Sequence, residues 1–489
     1  MDKYEYFNDY LHIRMGIEAG RLFYDPFLSG SSYLPGKGGM GICRNDRDDS
    51  GSRDVFDEKK PQNRVFYVKE GFVSVALSWI VMSAVGSVPF VISGSIKNPV
   101  DAWFETVSGF TTTGASILAD VEILPKCILF WRSFTHWIGG MGVLVFLLTI
   151  LPMDGGSYMN LMKAESPGPS VSRLVPTAKS TAKILYTIYI AMTVLQIILL
   201  LLGGMPLFDA LTLTFGTAGT GGFGIKNDSL AGYSIYHQVV ITIFMILFGI
   251  NFNVYFLILA KKAKQAFKME EVRCYLIIIA VAILLISMDI MGAGIYHNFG
   301  EAIQQTAFQV GSIITTTGYS TADFNLWPQT SKTVLVILMF VGACAGSTGG
   351  GIKVSRLIIL AKTVRKELHQ FLHPRSVQKV KMDGKIVEHE VVRMTNVFMV
   401  AYTMIFMGSV LLLSVEGKDL VSNFTAVAAT FNNIGPGLEL VGPTSNFSGF
   451  SILSKVILSF DMLAGRLEIF PMLLLFVGET WKKNKNVFR

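Results

Sequence analysis

The sequence predicts an all-α polytopic membrane protein in which one helix–loop–helix unit occurs four times over. Three observations predict it. The 489 residues are 51% hydrophobic and 16% charged, with a mean hydropathy of +0.48, whereas a soluble domain carries about 25% charged residues. Eight apolar stretches, at roughly 71–93, 127–151, 183–204, 234–260, 274–294, 331–360, 392–414 and 450–478, are long enough to cross about 30 Å of hydrocarbon as helices. Between each odd-numbered stretch and the next lies a polar cluster: Thr111-Thr112-Thr113-Gly114, Thr220-Gly221-Gly222-Phe223, Thr315-Thr316-Thr317-Gly318 and Asn432-Asn433-Ile434-Gly435. Their spacing, roughly 100 residues each time, marks an internal repeat.

The first 67 residues are polar and Gly-rich, with a charged run from Arg44 to Lys60 and no stretch of spanning length. Gly36 to Gly41 formally fits a nucleotide-binding GxGxxG, but no strand precedes it and no periodic helix follows, so a poorly ordered tail is expected. The repeats then divide the chain at 68–160, 161–265, 266–372 and 373–489, the last including a polar link before its first span. The net charge of +7 would suggest nucleic acid in a soluble chain. Here Lys163, Arg173, Lys179 and Lys183 join spans two and three, Lys261, Lys262, Lys264 and Lys268 follow span four, Arg356, Lys362, Arg365 and Lys366 follow span six, and Lys482, Lys483, Lys485 and Arg489 end the chain. All fall on one side of alternating spans, which the positive-inside rule makes cytoplasmic. No nucleic-acid partner is inferred; the alternative for these runs is a docking surface for a cytoplasmic partner or anionic lipid. The four cysteines are far apart, without a CxxC pair, so no disulfide framework or zinc site is implied.

The segments before the clusters are too short to span. Asn98-Pro99 ahead of Asp101 has a capping residue, a proline suited to the first helical position and an acid in the first turn. Gly204-Met205-Pro206 before Asp209 makes a similar start. These read as re-entrant half-helices whose C-terminal ends, with about −0.5 charge, face the clusters. Four similar loops can close into one ring, and a ring of carbonyl oxygens can replace the hydration shell of a cation. The ion-contacting backbone is expected at Thr112, Thr113, Gly114, Thr220, Gly221, Gly222, Thr316, Thr317, Gly318, Asn433, Ile434 and Gly435, with the glycines supplying the positive φ that turns carbonyls to one axis. Pro436 stands where loop three has Tyr319, and Gly219 and Gly221 where loop three has Thr315 and Thr317. The ring is therefore expected to be only pseudo-four-fold, with fewer well-formed sites than a symmetric one.

The sixth span is interrupted by Gly342-Ala343-Cys344-Ala345-Gly346-Ser347-Thr348-Gly349-Gly350-Gly351, ahead of Ile352 and Lys353. Glycine costs a helix about 1 kcal/mol relative to Ala, and a straight helix over 331–360 would measure about 45 Å. A break beneath the third loop, able to gate, is expected; close helix packing through small residues is the alternative. The eighth span places Arg466 near Glu468 and Asp461, at the centre of an apolar stretch, where a charge costs roughly 2.5–3.5 kcal/mol. It reads either as a barrier to cations below the loops or as a structural ion pair. Ser133 and His136 share one face of span two, but no acid or oxyanion donor completes a catalytic set, so a buried, hydrogen-bonded histidine is expected.

Trp103 to Phe110 leading into Thr111-Thr112-Thr113-Gly114-Ala115-Ser116 resembles the first pore segment of the TrkH/KtrB potassium-uptake family. Trp131-Arg132-Ser133-Phe134 with His136 to Gly142, Ala345 to Lys353, Asn432 to Gly437 and Gly465 to Pro471 resemble later segments, and the fourth loop is similar to the TrkH/TrkG branch. The resemblance covers about residues 68–480. It implies four helix–pore-loop–helix repeats around one ion pore, in a bacterial inner-membrane, multi-pass potassium-uptake subunit without covalent cofactor or enzymatic step. It further implies a homodimer, cytoplasmic TrkA-type nucleotide-binding regulatory subunits, and Arg466 as a pore-lining residue. TrkH-type members usually begin with an extra helix pair; here a polar stretch occupies that place, so the pair is expected to be lost or displaced by a shifted reading frame or start. Against this stand an alternating-access secondary transporter (K+/H+ or K+/Na+ symport), favoured by two-fold rather than four-fold repetition, and an intramembrane enzyme, which needs a matched catalytic pair.

Overall fold

The computed structural model describes residues 68–142 and 178–481. The polar N-terminal segment with its expected missing helix pair, and much of the link between spans two and three, lie outside the described residues. In chain order the helices are α1 (Val68–Ile92), α2 (Pro99–Phe110), α3 (Lys126–Gly140), α4 (Ala178–Leu202), α5 (Leu207–Gly219), α6 (Ile235–Phe248), α7 (Phe252–Leu259), α8 (Ala263–Ala266), α9 (Glu270–Gly292), α10 (Phe299–Ile314), α11 (Gln329–Val341), α12 (Val354–Leu372), α13 (His389–Ser414), α14 (Leu420–Phe431), α15 (Ile452–Arg466) and α16 (Phe470–Leu474). A two-stranded antiparallel hairpin, β1 (Lys381–Met382) and β2 (Lys385–Ile386), sits between α12 and α13.

Four helices, α1, α4, α9 and α13, are long and apolar enough to cross a membrane without a break. They are apolar all round, as a helix between lipid and protein must be. Ile277, Val281, Leu284 and Met288 on α9, and Val400, Met404, Met407 and Leu411 on α13, form exposed stripes at helical spacing. Apolar stripes this long are the lipid-facing sides of a multi-pass membrane protein. Each outer helix leads into a half-helix, α2, α5, α10 or α14, whose 12, 13, 16 and 12 residues cannot span. The half-helices lie inside the protein: α2 is buried from Phe104 to Phe110 and α14 from Thr425 to Phe431. Asn98, Asn298 and Asp419 cap three of them, accepting from Val100, Gly300 and Ser422 backbone N–H at 2.9, 2.9 and 2.8 Å. Pro206 begins the fourth without a side-chain cap.

The inner helices depart from the expected continuous spans. Only the sixth span was expected to break, yet α6 and α7 are bent by 91° across residues 249–251, and α15 and α16 are separated by Leu467, Glu468 and Ile469. At the α6–α7 bend the physical cause is tertiary: Gly249 O accepts from Cys344 N–H at 3.0 Å and Phe252 N–H donates to Gly346 O at 2.9 Å. The interrupted segment therefore takes backbone groups that a continuous helix would have paired internally. The last break also relocates Arg466, expected at the centre of a helix, to the final residue of α15. There the helix dipole favours a cation.

Candidate ion pathway

Each half-helix ends in the same closure. The N–H groups of Thr112 and Thr113 donate back to Gly109 and Ser108 carbonyls, at 3.1 and 2.9 Å. The equivalent 6→1 bonds run from Gly221 to Gly216 (2.8 Å), Thr317 to Ser312 (2.8 Å) and Ile434 to Ala429 (2.8 Å). Such a closure needs a left-handed residue just after the helix. Thr112, Thr220, Thr316 and Asn433 take that role, with φ of 54°, 55°, 59° and 56°. Two residues on, Gly114, Gly222, Gly318 and Gly435 have φ of 80°, 74°, 85° and 97°. Four loops thus share a three-residue pattern: left-handed, ordinary, left-handed.

The loops close into one ring. A methyl group on Gly114 would strike the Gly221 carbonyl oxygen, one on Gly222 that of Thr317, and one on Gly318 that of Ile434. One on Gly435 would come within 2.8 Å of Thr113 O. The order one–two–three–four–one is complete, and all four glycines border a single outer cavity with Arg132 and Lys226. A second ring of hydrogen bonds lies above. Asn227 Nδ2 donates to Asp120 Oδ1 (2.8 Å), Leu230 N–H to Ser320 O (3.0 Å), Glu439 N–H to Asn325 Oδ1 (3.0 Å) and Phe447 N–H to Ser116 O (2.8 Å). Behind loops one and two, a buried ion pair joins Arg132 Nε to Glu105 Oε1 at 2.6 Å. Arg132 also donates to Gly224 O (2.8 Å), and Glu105 accepts from Ile117 N–H (3.0 Å), so the pair fixes the backbone that follows both loops.

The loops differ in what stands behind them. In loops one and three the hydroxyls of Thr111 and Thr113, and of Thr315 and Thr317, are 2.8 Å apart. Loop two has glycines at both positions, and the space belongs to His136: a methyl on Gly221 would strike its ring, one on Gly219 its backbone. His136 packs on Phe223 with ring centroids 4.2 Å apart. The expected hydrogen-bonded histidine is thus corrected, because neither ring nitrogen has a partner among the described residues. It is a packing wedge. In loop four, Asn432 donates to Ala428 O (2.9 Å) and accepts from Tyr402 Oη (2.9 Å), while Asn433 Nδ2 reaches Thr113 Oγ1 at 2.9 Å.

The interrupted segment 342–353 lies against loops three and four. Gly350 N–H donates to Thr316 Oγ1 at 2.6 Å, and methyl groups on Gly349 and Gly350 would meet Thr315 O and Asn432 O. Gly346 and Gly351 have positive φ, as does Lys353 at 81°. The buried Lys353 ammonium donates to Gly349 O, and to Gly350 O at 3.1 Å. Ser347 Oγ donates to Cys344 O at 2.6 Å and Thr348 Oγ1 to Phe248 O at 3.3 Å. Arg466 joins this segment to the end of α3: it donates to Thr348 O (2.8 Å), to Gly139 O, and to Gly140 O (2.8 Å). Glu468 pairs with Arg356, and Asp461 Oδ1 accepts from Ser409 Oγ at 2.8 Å.

Over residues 52–483 the chain matches the family model TrkH, described as a cation transport protein. The chain belongs to the TrkH family. It is 36% identical over 420 residues to the Trk system potassium uptake proteins TrkH of Salmonella typhimurium and Escherichia coli K12, covering 85% of this chain and 86% of each relative. Identity to the Trk system potassium uptake protein TrkG of E. coli is 34% over 418 residues, with the same coverage. The crystal structure of the potassium transporter TrkH from Vibrio parahaemolyticus matches with a TM-score of 0.85 at 30% identity, covering 98% of this chain and 100% of that one.

In this TrkH-family fold the twelve loop residues make up the four triads of the ring. Gly349 and Gly350 touch loops three and four, Lys353 holds their carbonyls and Arg466 that of Thr348, while Gly346, Ser347 and Gly351 pack away from the ring against Asn251, Cys344 and Gly342. Sequence reasoning missed Glu105 with Arg132, and Glu271, whose carboxylate contacts segment 342–353. All three are charges within or beside apolar stretches, the same signal that singled out Arg466.

Proposed function

We propose that the ring is a selectivity filter through which potassium ions pass inward across the bacterial inner membrane, with segment 342–353 as the gate beneath it. The observation that carries the reading is the fourfold recurrence of one left-handed, ordinary, left-handed triad in a closed ring. Alternating backbone hands turn successive carbonyls to one side, and oxygens so arranged replace the water of a dehydrated cation. The C-terminal ends of four half-helices add negative potential where the ion sits. Arg466, held by carbonyls of Thr348, Gly139 and Gly140, places a positive charge beneath the loops and raises the barrier to cations. Different groups behind loops two and four make the ion sites unequal. The potassium uptake proteins among its relatives support the choice of potassium.

On this reading the four units divide near 160, 265 and 372. Potassium is the cargo, no covalent cofactor takes part and the activity is transport without a chemical step. A homodimer with one pathway per protomer, controlled by cytoplasmic TrkA-type nucleotide-binding subunits, completes the proposal. The broken inner helices are the one observation that also suits an alternating-access symporter.

The test is complementation of a potassium-uptake-deficient bacterium at low external potassium. The chain should restore growth, and Gly222→Ala should abolish it, because the added methyl strikes Thr317 O at a positive φ. Growth unaffected by Gly222→Ala in expressed protein would exclude the ring as the pathway.

A further inference from the structure

Glu271 lies outside both the ring and the interrupted segment, on the first turn of α9, yet it is only 3% exposed. Its Oε1 accepts from Ala345 N–H at 2.7 Å and from Ser355 N–H at 3.2 Å. Ala345 follows the end of α11 and Ser355 opens α12. One carboxylate oxygen therefore bridges the two ends of segment 342–353. The preceding residue faces the other way. Glu270 pairs with Lys362 of α12, and its N–H donates to Asp383 Oδ1, in the turn of the β hairpin, at 2.7 Å. Lys362 also donates to Lys381 O of that hairpin at 2.7 Å. The first turn of α9 thus holds the hairpin with one residue and the interrupted segment with the next.

We propose that Glu271 is a positioning residue that latches segment 342–353 across the ion pathway. The inference rests on the gate reading above. The physical argument is one of hydrogen-bond supply. A carboxylate accepts both backbone N–H groups in charge-assisted bonds. Removing it leaves two buried donors without a partner, which favours a different path for the segment. A glutamine keeps an oxygen at the same reach. An aspartate, one methylene shorter, cannot hold both ends.

The experiment is rubidium influx into liposomes containing the purified full chain, as wild type, Glu271→Ala, Glu271→Asp, Glu271→Gln, and a variant lacking residues 346–350 with and without Glu271→Ala. The Ala and Asp variants should raise influx by roughly five- to tenfold, the effect of about one net hydrogen bond, and Gln should stay near wild type. In the deletion background Glu271→Ala should add nothing. A general structural defect lowers influx, so the gain separates a latch from a scaffold residue. If deletion raises influx while Ala and Asp leave it unchanged or lower, the latch is wrong and the gate stands. If deletion itself has no effect, the gate reading fails and the inference with it. Should the Ala variant not fold, labelling of the buried Cys344 by a maleimide decides, in Glu271→Asp with Cys43, Cys127 and Cys274 replaced by Ser. Faster labelling supports the latch and unchanged labelling overturns it.

Discussion

His136 and Gly221 form a lock-and-space pair. Gly221 does not have positive φ, so its lack of a side chain is not a conformational need. It is a volume need, since the His136 ring occupies the space a Cβ would take. Gly219 differs, because the His136 backbone blocks it. Gly221→Ala should therefore abolish rubidium uptake, and His136→Ala in the same chain should recover a measurable part of it, a coupling expected of residues in direct contact. Additive losses in the double variant would show that the glycine serves another purpose. At this scale the sequence was legible where glycine signals positive φ, as at Gly114, Gly222, Gly318 and Gly435. It was not legible at Thr112, Thr220, Thr316 and Asn433, which share those hands with ordinary side chains. Their conformation follows from the helix closure behind them, and nothing in a threonine announces it.

Among the elements, the half-helices were the most readable. Asn98, Pro99 and Asp101 spell a helix start, and the same capping chemistry recurs at Asn298 and Asp419. The inner-helix breaks were readable only where glycines cluster, at 342–353. Residues 249–251 offer only Gly249 and the capping Asn251, and their break is completed by partners distant in sequence, Cys344 and Gly346. At 467–469, Glu468 and Ile469 take positive φ ahead of Pro471. The last break decides the role of Arg466. As the terminal residue of α15 it donates to backbone carbonyls of two other elements, while the acid nearest in sequence, Glu468, pairs with Arg356. Arg466→Ala should raise rubidium influx by about tenfold, corresponding to a barrier lowered by about 1.4 kcal/mol, and Arg466→Lys should raise it less. Unchanged or lower influx in monodisperse Arg466→Ala protein would assign the arginine to helix packing alone.

The whole molecule is organised by ring closure at two levels. The outer mouth is tied in sequence by Asn227, Ser320, Asn325 and Phe447, and the glycine ring lies beneath it. Arg466 and segment 342–353 cross below. A symmetric tetramer would repeat one solution four times. This single chain instead supports four similar loops with hydroxyl pairs, a histidine wedge and an asparagine–tyrosine bond. The fourfold repeat was visible in the sequence because the triads share spacing and composition. The supports were not, since each depends on a contact across repeats. The central claim is that the ring binds potassium at unequal sites on one axis. Anomalous diffraction from crystals of the full chain soaked in rubidium tests it most directly. The account predicts peaks of unequal height on the axis bounded by Thr112 to Gly114, Thr220 to Gly222, Thr316 to Gly318 and Asn433 to Gly435. Rubidium bound elsewhere with none in the ring would contradict it.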